Sequence, residues 1–260
     1  MNAQELQTLC QIALAAGREV MAVYRDGGQT WQKEDQSPLT EADLRADRVI
    51  RAGLEQHFAG AFVLSEESVS AGARDTSRFF LVDPLDGTKE FVQRNGEFTV
   101  NIAWVVDGRP VAGVVFAPAL DELFYAAQGV GAFKRDAQGR AQAIATSGTA
   151  PGGVLRVMGS RPRGGAHLQA WLDGLQQAHS FVAAGSSLKF CRVAEGAADV
   201  YPRFGPTSQW DTAAAQAVLE VAGGVVSDMQ GQGLRYGLGR SLRNPPFVAL
   251  AQAGLYPQLF

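Results

Sequence analysis

Residues 81–91 read LVDPLDGTKEF and place two carboxylates, Asp83 and Asp86, three positions apart. The apolar run at residues 79–82 is typical of a buried strand, and the proline and glycine that follow predict that this strand ends at the two acids. Open α/β sheets bind their ligands at the C-terminal ends of strands. A carboxylate pair on a turn, beside free backbone N–H groups, suits a divalent cation and a phosphate group.

The same stretch could also be an ordinary turn, because Asp-Pro and Asp-Gly are common turn dipeptides. Three other acidic segments favour a site. Glu66 follows a short apolar run at residues 61–64, Asp211 begins an alanine-rich helical pattern, and Asp43 lies three residues after Thr40. Each acid has a structural alternative, as an exposed loop residue, a helix N-cap or a capping-box partner. Their shared position at strand ends and helix starts favours one common site.

The composition limits the classes of function. The chain has 260 residues, 46% of them hydrophobic, and a net charge of −3 with acids and bases interspersed. This charge distribution has no basic surface for nucleic acid, and a phosphorylated substrate would need cations between itself and the acids. Cys10 and Cys191 lie in apolar helical patterns, which indicates buried thiols rather than a disulfide.

The chain has neither a signal-peptide pattern nor an apolar run of membrane-spanning length. We therefore expect a cytoplasmic protein that acts on a small molecule. The pattern leaves peripheral association with a membrane and the oligomeric state open.

Hydrophobic periodicity predicts a mixed α+β and α/β fold in two halves. The first half, residues 1–145, should hold a long first helix ending at Gly27, a second helix capped by Thr40, and strands at 61–64, 79–82, 98–106, 110–117, 122–126 and 132–134. A small, polar stretch at 141–153 is the best boundary. In the second half, residues 146–260, strands at 154–158, 200–201 and 224–227 should alternate with helices at 166–177, 187–195 and 212–221, and the site should lie between the halves.

Three motifs in register carry a resemblance to a known family. DPLDGT at residues 83–88, with SEES at 65–68 before it and WD at 210–211 after it, resembles the signature of the inositol monophosphatase superfamily. Its members are magnesium-dependent, lithium-sensitive phosphomonoesterases. The resemblance extends over nearly the whole chain and implies a layered αβαβα sugar-phosphatase-like fold.

Further segments resemble one branch, the bacterial CysQ-type 3'(2'),5'-bisphosphate nucleotidases. They are KEF at residues 89–91, NGEFTVN at 95–101, GSSLKFC at 185–191 and YPRFGPT at 201–207. Inositol monophosphatases usually have a Thr-Asn pair in place of Lys89 and Glu90. The resemblance implies removal of the 3'-phosphate of adenosine 3',5'-bisphosphate to give AMP and phosphate. It also implies possible action on 3'-phosphoadenylyl sulfate and a place in sulfate assimilation.

Two alternatives stay open. The first is the same chemistry on an inositol or sugar phosphate. The second is a nucleotide-binding protein without turnover, which is less favoured because the acids of all three motifs are intact.

The resemblance also implies roles for individual residues. The Mg²⁺ ligands would be Glu66, Asp83, Asp86, Asp211 and the backbone carbonyl of Leu85, with Asp83 shared between two ions. Thr88 and Glu66 would orient the attacking water, and Asp43 would help to place a third, weaker metal or the water network.

The substrate contacts would include the same loop and a second group of residues. The N–H groups of Gly87 and Thr88 would receive phosphate oxygens, and Ser186, Lys189 and Arg203 would bind the nucleotide. The full predicted contact set is Glu66, Leu85, Asp86, Gly87, Thr88, Ser186, Lys189, Arg203 and Asp211.

Overall fold

The computed structural model describes residues 1–32, 38–68, 77–148, 153–160 and 165–259. The helices are α1 (Ala3–Asp26), α2 (Glu41–His57), α3 (Thr88–Val92), α4 (Gly165–Gly174), α5 (Leu188–Ala194), α6 (Ala213–Val221) and α7 (Tyr256–Leu259). The strands are β1 (Thr30–Gln32), β2 (Pro38–Thr40), β3 (Phe62–Ser65), β4 (Arg78–Asp86), β5 (Thr99–Val106), β6 (Arg109–Ala117), β7 (Glu122–Ala127), β8 (Gly131–Arg135), β9 (Ala141–Ala143), β10 (Leu155–Gly159), β11 (His179–Ala183), β12 (Val200–Arg203), β13 (Val225–Asp228) and β14 (Phe247–Leu250). Short 3-10 helices occupy Gln209–Asp211 and Ala253–Leu255.

Two large sheets and three layers of helices form the molecule. One sheet has seven strands in the order β3-β4-β5-β6-β7-β8-β9, antiparallel except for the parallel pair of β3 and β4. The other has five strands in the order β11-β10-β12-β14-β13. Helices α1 and α2 cover the outer face of the first sheet, α5 and α6 lie between the sheets, and α4 and α7 cover the outer face of the second. The predicted αβαβα layering is confirmed.

Strand β4 shows how the sequence determines these layers. Phe79 and Leu81 face the core between the two sheets, whereas Phe80 and Val82 face α1 and α2. Because helices cover both faces of the sheet, the strand is a continuous apolar run rather than an alternating one. The predicted capping box of α2 is confirmed, since Thr40 and Asp43 exchange hydrogen bonds at the start of the helix.

The predicted end of this strand at the two acids is confirmed, but β4 is longer than the apolar run at residues 79–82 and passes through Pro84. The strand continues to Asp86, with a register shift against β5: Asp83 pairs with Asn101, and Asp86 pairs with Thr99. Three steps on β4 therefore match two on β5, which is a β-bulge. The bulge accommodates Pro84, which has no N–H to donate to the ladder, and keeps both acids at the end of the strand.

Several short strands were not predicted: β1, β2, β9, β11 and β14. Strand β9 lies inside the stretch predicted as a boundary and forms the edge of the seven-stranded sheet. Strands β1, β2, β9 and β14 have only three or four residues, too few to show a period, and β11 lies at the edge of the five-stranded sheet. The division of the chain into two halves between residues 145 and 146 stays a prediction. Helices α5 and α6 pack in one core with strands of both sheets.

Cys10 and Cys191 are buried free thiols, as predicted. Among the described residues, none of the helices combines the length and apolar character that crossing a bilayer requires.

An ion-pair network anchors α5 to the first sheet. Glu122 on β7 lies 2.6 Å from Lys134 on β8 and 2.6 Å from Arg192 on α5, and Glu195 accepts from both cations at 2.7 Å. The four side chains are only 13–23% exposed. Each carboxylate therefore has two cationic partners in a partly buried setting, where removing one partner leaves the others uncompensated.

Gly113 permits the close contact between β6 and α6. A Cβ atom at this position would lie 2.1 Å from the carbonyl oxygen of Ala214. We expect Gly113→Ala to lower the free energy of unfolding by about 1–3 kcal/mol, because the helix must move away from the sheet. Urea denaturation measures this change. The control is Gly174→Ala, where an added Cβ meets no atom within 4 Å. Equal stability of the two variants would contradict the close contact.

Candidate metal centre and active site

Three carboxylates from separate segments converge at one edge of the first sheet. Glu66 follows β3, Asp83 belongs to β4, and Asp211 ends the 3-10 helix Gln209–Asp211 before α6. One oxygen of each lies within 4.8 Å of the others. Asp211 is not the N-cap of α6, which is Thr212; it lies at the N3 position of a capping box in the 3-10 helix, where the backbone N–H of Ser208 donates to its Oδ2 at 2.8 Å. The structure thus brings together three of the predicted metal ligands.

The electrostatics of this cluster favour a cation. Burial raises the pKa of Asp83 well above its usual value, and the neighbouring Glu66, Asp86 and Asp211 raise it further. Burial, followed by the charge of Asp86, raises the pKa of Asp211 to about 8. Several carboxylates that are costly to ionise together become stable anions when a divalent cation lies among them, and oxygen ligands are what Mg²⁺ prefers. The donor set therefore fits a divalent cation.

Asp86 lies next to this cluster but is held differently. Its Oδ2 accepts from the backbone N–H of Ser187 at 2.7 Å, from the Ser187 hydroxyl at 2.7 Å and from Asn101 Nδ2 at 3.3 Å. Its charge still raises the pKa of Asp83 and Asp211. Asp86 thus adds negative charge to the site, but it is not one of the three converging carboxylates.

The turn after β4 surrounds the cluster. The N–H of Leu85 donates to Asp83 Oδ1 at 3.0 Å, and the Thr88 hydroxyl donates to the carbonyl oxygen of Leu85 at 3.3 Å. Gly87 has φ 89°, a left-handed conformation that favours glycine, and precedes α3. These residues line a cavity of about 330 Å³ together with Glu66, Asp83 and Asp211.

Asp43 is buried in the first turn of α2 and is not one of the three converging carboxylates. Its Oδ2 accepts from the backbone N–H of Thr40 at 2.7 Å and from the Thr40 hydroxyl at 2.6 Å. Burial raises the pKa of Asp43 to about 6, with a further contribution from Glu66 and opposition from the Thr40 hydrogen bonds. Its capping role is present, and its predicted role in catalysis stays a prediction.

A second cavity, of about 270 Å³, adjoins the first and shares Asp86, Gly87 and Asp211 with it. Arg203 lies in its wall and donates to the Ser160 hydroxyl at 2.7 Å and to the carbonyls of Gly205 and Pro206 at 3.2 and 3.1 Å. All three acceptors are neutral, so these contacts do not compensate the charge of the guanidinium group.

Lys189 and Ser186 lie in the wall of the same cavity. Lys189 is 4% exposed, and its Nζ donates to the carbonyls of Ser186 and Ala184 at 2.7 and 3.2 Å. Burial lowers the pKa of Lys189 to about 8, partly opposed by Asp86. Ser186 has φ 45°, and its buried hydroxyl has no hydrogen-bond partner in the part of the chain that the structure describes. Ser186, Lys189 and Arg203, the predicted nucleotide-binding residues, therefore line one cavity, and both cations donate hydrogen bonds to neutral acceptors.

Sequence reasoning missed Ser187, Asn101 and Ser160. Ser187 lies in GSSLKFC and Asn101 in NGEFTVN, so motif membership pointed to their segments. Nothing local showed that Ser187, rather than Ser186, contacts Asp86.

Comparisons with known proteins agree with this geometry. The model of the "Inositol monophosphatase family" matches residues 1–258, and the chain belongs to this family. It is 46% identical over 247 residues to a Salmonella typhimurium protein named "3'(2'),5'-bisphosphate nucleotidase CysQ", covering 93% of this chain and 98% of that protein. The Escherichia coli (strain K12) protein of the same name is 45% identical with the same coverage.

Solved structures show the same fold. The crystal structure of CysQ from Bacteroides thetaiotaomicron superposes with a TM-score of 0.84 at 35% identity, covering 96% of this chain and 97% of that one. The inositol monophosphatase from Anabaena superposes with a TM-score of 0.77 at 26% identity, covering 98% and 93%.

Proposed function

We propose that this protein is a Mg²⁺-dependent 3'(2'),5'-bisphosphate nucleotidase that converts adenosine 3',5'-bisphosphate into AMP and phosphate. The main support for this proposal is that two cavities adjoin each other. One contains three converging carboxylates, and the other contains the cationic side chains of Lys189 and Arg203. A substrate with two phosphates matches this pairing, because one phosphate reacts among the acids while the other binds the cations.

Glu66, Asp83 and Asp211 would hold the cation, with Asp86 and the carbonyl of Leu85 as the further ligands that the family pattern implies. Bound Mg²⁺ would neutralise phosphate charge and lower the pKa of a water molecule. Without a cation, the acids would repel the substrate, so the site should be inactive when metal is removed.

The remaining residues bind and orient the substrate. The Thr88 hydroxyl donates to the Leu85 carbonyl, so its oxygen can accept a hydrogen bond from the attacking water. Glu66, which lines the same cavity, would accept the second hydrogen of that water. The N–H groups of Gly87 and Thr88, at the start of α3, would donate to phosphate oxygens.

Lys189, Arg203 and Ser186 would bind the second phosphate. An ammonium group has three hydrogens, and two of those on Lys189 go to backbone carbonyls. The third is available to an anion. Arg203 adds a second positive charge, and the unpaired Ser186 hydroxyl adds a donor. A monophosphate such as an inositol phosphate would leave these groups without an anionic partner.

Phosphate release from adenosine 3',5'-bisphosphate tests the proposal. With millimolar Mg²⁺ we expect fast release that stops after chelation with EDTA, returns with added Mg²⁺ and is inhibited by millimolar lithium. Inositol 1-phosphate and 3'-phosphoadenylyl sulfate serve as parallel substrates. A preference for the inositol phosphate would replace the proposed substrate, and no release from any of them would favour a binding protein without turnover.

A further inference from the structure

Ser187 connects segments from both halves of the chain directly behind the candidate metal centre. Its hydroxyl oxygen lies 2.7 Å from Asp86 Oδ2 and 2.7 Å from the backbone carbonyl oxygen of Asp211. Its own N–H donates to Asp86 Oδ2 at 2.7 Å, and Asn101 Nδ2 donates to its hydroxyl oxygen at 2.8 Å. Ser187 and Asn101 are 2% and 1% exposed, so water does not compete for these contacts.

The hydrogen bonds of Ser187 cannot all exist at once. A serine hydroxyl has one hydrogen, yet two acceptors, Asp86 Oδ2 and the Asp211 carbonyl, lie at the same distance from it. The charged carboxylate is the stronger acceptor, so the hydrogen favours Asp86 while that acid is ionised and unneutralised. The backbone N–H of Ser187 holds Asp86 in either case. The hydroxyl can therefore move its hydrogen between two metal-ligand segments without a backbone change.

These contacts also determine how Asp86 is held. Oδ2 receives the N–H of Ser187, the hydroxyl of Ser187 when its hydrogen points toward this acid, and the amide of Asn101, and the Thr99 hydroxyl lies 3.5 Å from the same oxygen. The orientation of Asp86 thus depends on a residue from the start of α5 and a residue from β5, and not on β4 alone.

We infer that Ser187 is a positioning residue that holds Asp86 and the Asp211 segment at the separation a divalent cation needs. Asn101 supports it by donating to the same hydroxyl. The inference rests on the proposed function only in requiring a metal, and it does not depend on which phosphate ester is cleaved. A purely structural serine would stabilise the fold without changing metal affinity, and this difference is measurable.

The experiment compares Ser187→Ala, Ser187→Thr and wild type by calorimetric titration of the substrate-free protein with MgCl₂, at a fixed pH. We expect Ser187→Ala to raise the metal Kd about tenfold, which is about 1.4 kcal/mol. Its kcat at subsaturating Mg²⁺ should fall in parallel, with little change in substrate KM at saturating Mg²⁺. Ser187→Thr keeps the hydroxyl and should recover most of the affinity.

The matched control is Ser227→Ala, a serine on β13 that is likewise buried, at 4% exposed, and lies outside both cavities. It should bind Mg²⁺ like wild type. If Ser187→Ala does not fold, Asn101→Leu tests the same network, because it removes the amide that donates to both Ser187 and Asp86 and should also raise the metal Kd. A folded Ser187→Ala variant with a Kd within twofold of wild type would overturn the inference, whichever substrate the enzyme proves to use.

Discussion

Asp211→Asn is expected to reduce turnover of adenosine 3',5'-bisphosphate on the order of 10³-fold or more, and Asp83→Asn should do the same. Each change removes one of the three converging carboxylates and with it one negative charge that would hold the cation. The neutral amide has nearly the same shape, so the loss reflects charge rather than packing. Steady-state kinetics at saturating Mg²⁺ measure it, and Glu55→Gln, an exposed acid on α2, is the control.

The same substitutions should have the opposite effect on the metal-free protein. Burial and neighbouring acids raise the pKa of Asp83 and raise that of Asp211 to about 8, so ionising them costs stability. A raised pKa means that the folded state binds more protons than the unfolded state above about pH 4. The stability of the metal-free protein therefore falls as the pH rises from about 4 toward 8.

Asp211→Asn removes part of this dependence. In EDTA at pH 7.5 the variant should unfold at the same temperature as wild type or at a higher one. Its free energy of unfolding should rise by roughly 1–3 kcal/mol at most. Thermal denaturation between pH 5 and 8 measures the effect. A collapse of the metal-free variant would show that the acid stabilises the fold rather than serving a metal.

Lys189→Met and Arg203→Ala are expected to raise the KM for adenosine 3',5'-bisphosphate about 10- to 100-fold, since each removes a charge-assisted contact of about 1.5–3 kcal/mol. Both cations lie in the cavity next to the carboxylate cluster. Methionine keeps most of the buried stem of Lys189 and removes the ammonium group, with its charge and its hydrogen bonds to the Ser186 and Ala184 carbonyls. Arg18→Ala, an exposed residue of α1, is the control.

A simple phosphomonoester, 4-nitrophenyl phosphate, separates binding of the second phosphate from catalysis. It has no second phosphate, so both variants should lose far less on it than on the nucleotide. Equal losses on the two substrates would contradict a role in nucleotide recognition and would assign Lys189 and Arg203 to the reacting phosphate or to the fold.

Much of this molecule could be predicted from local patterns. The capping box of Thr40 and Asp43, the glycine that ends α1 and the alternation of long strands and helices depend on interactions between near neighbours, which periodicity and capping residues reveal. The LVDPLDGTKEF stretch, with its companion acids, indicated the class of site. Short edge strands such as β9 and β11 were missed because they have little periodic signal.

Contacts between distant segments determined the rest. The β-bulge in β4 sets where Asp83 and Asp86 point, and it depends on pairing with β5 as well as on Pro84. The choice between the adjacent Ser186 and Ser187 depends on how α5 docks against both sheets. Ser186 lines the cavity, and its hydroxyl has no hydrogen-bond partner among the described residues, whereas the Ser187 hydroxyl is buried between Asp86 and Asp211.

The sequence by itself determined which acids this protein has and on which kinds of element they lie, because capping and periodicity are local properties. The tertiary structure alone decided that Glu66, Asp83 and Asp211 meet and that Ser187 and Asn101 hold Asp86. A hydrogen bond needs its two atoms about 3 Å apart, and only the packing of β4, β5 and α5 sets those distances.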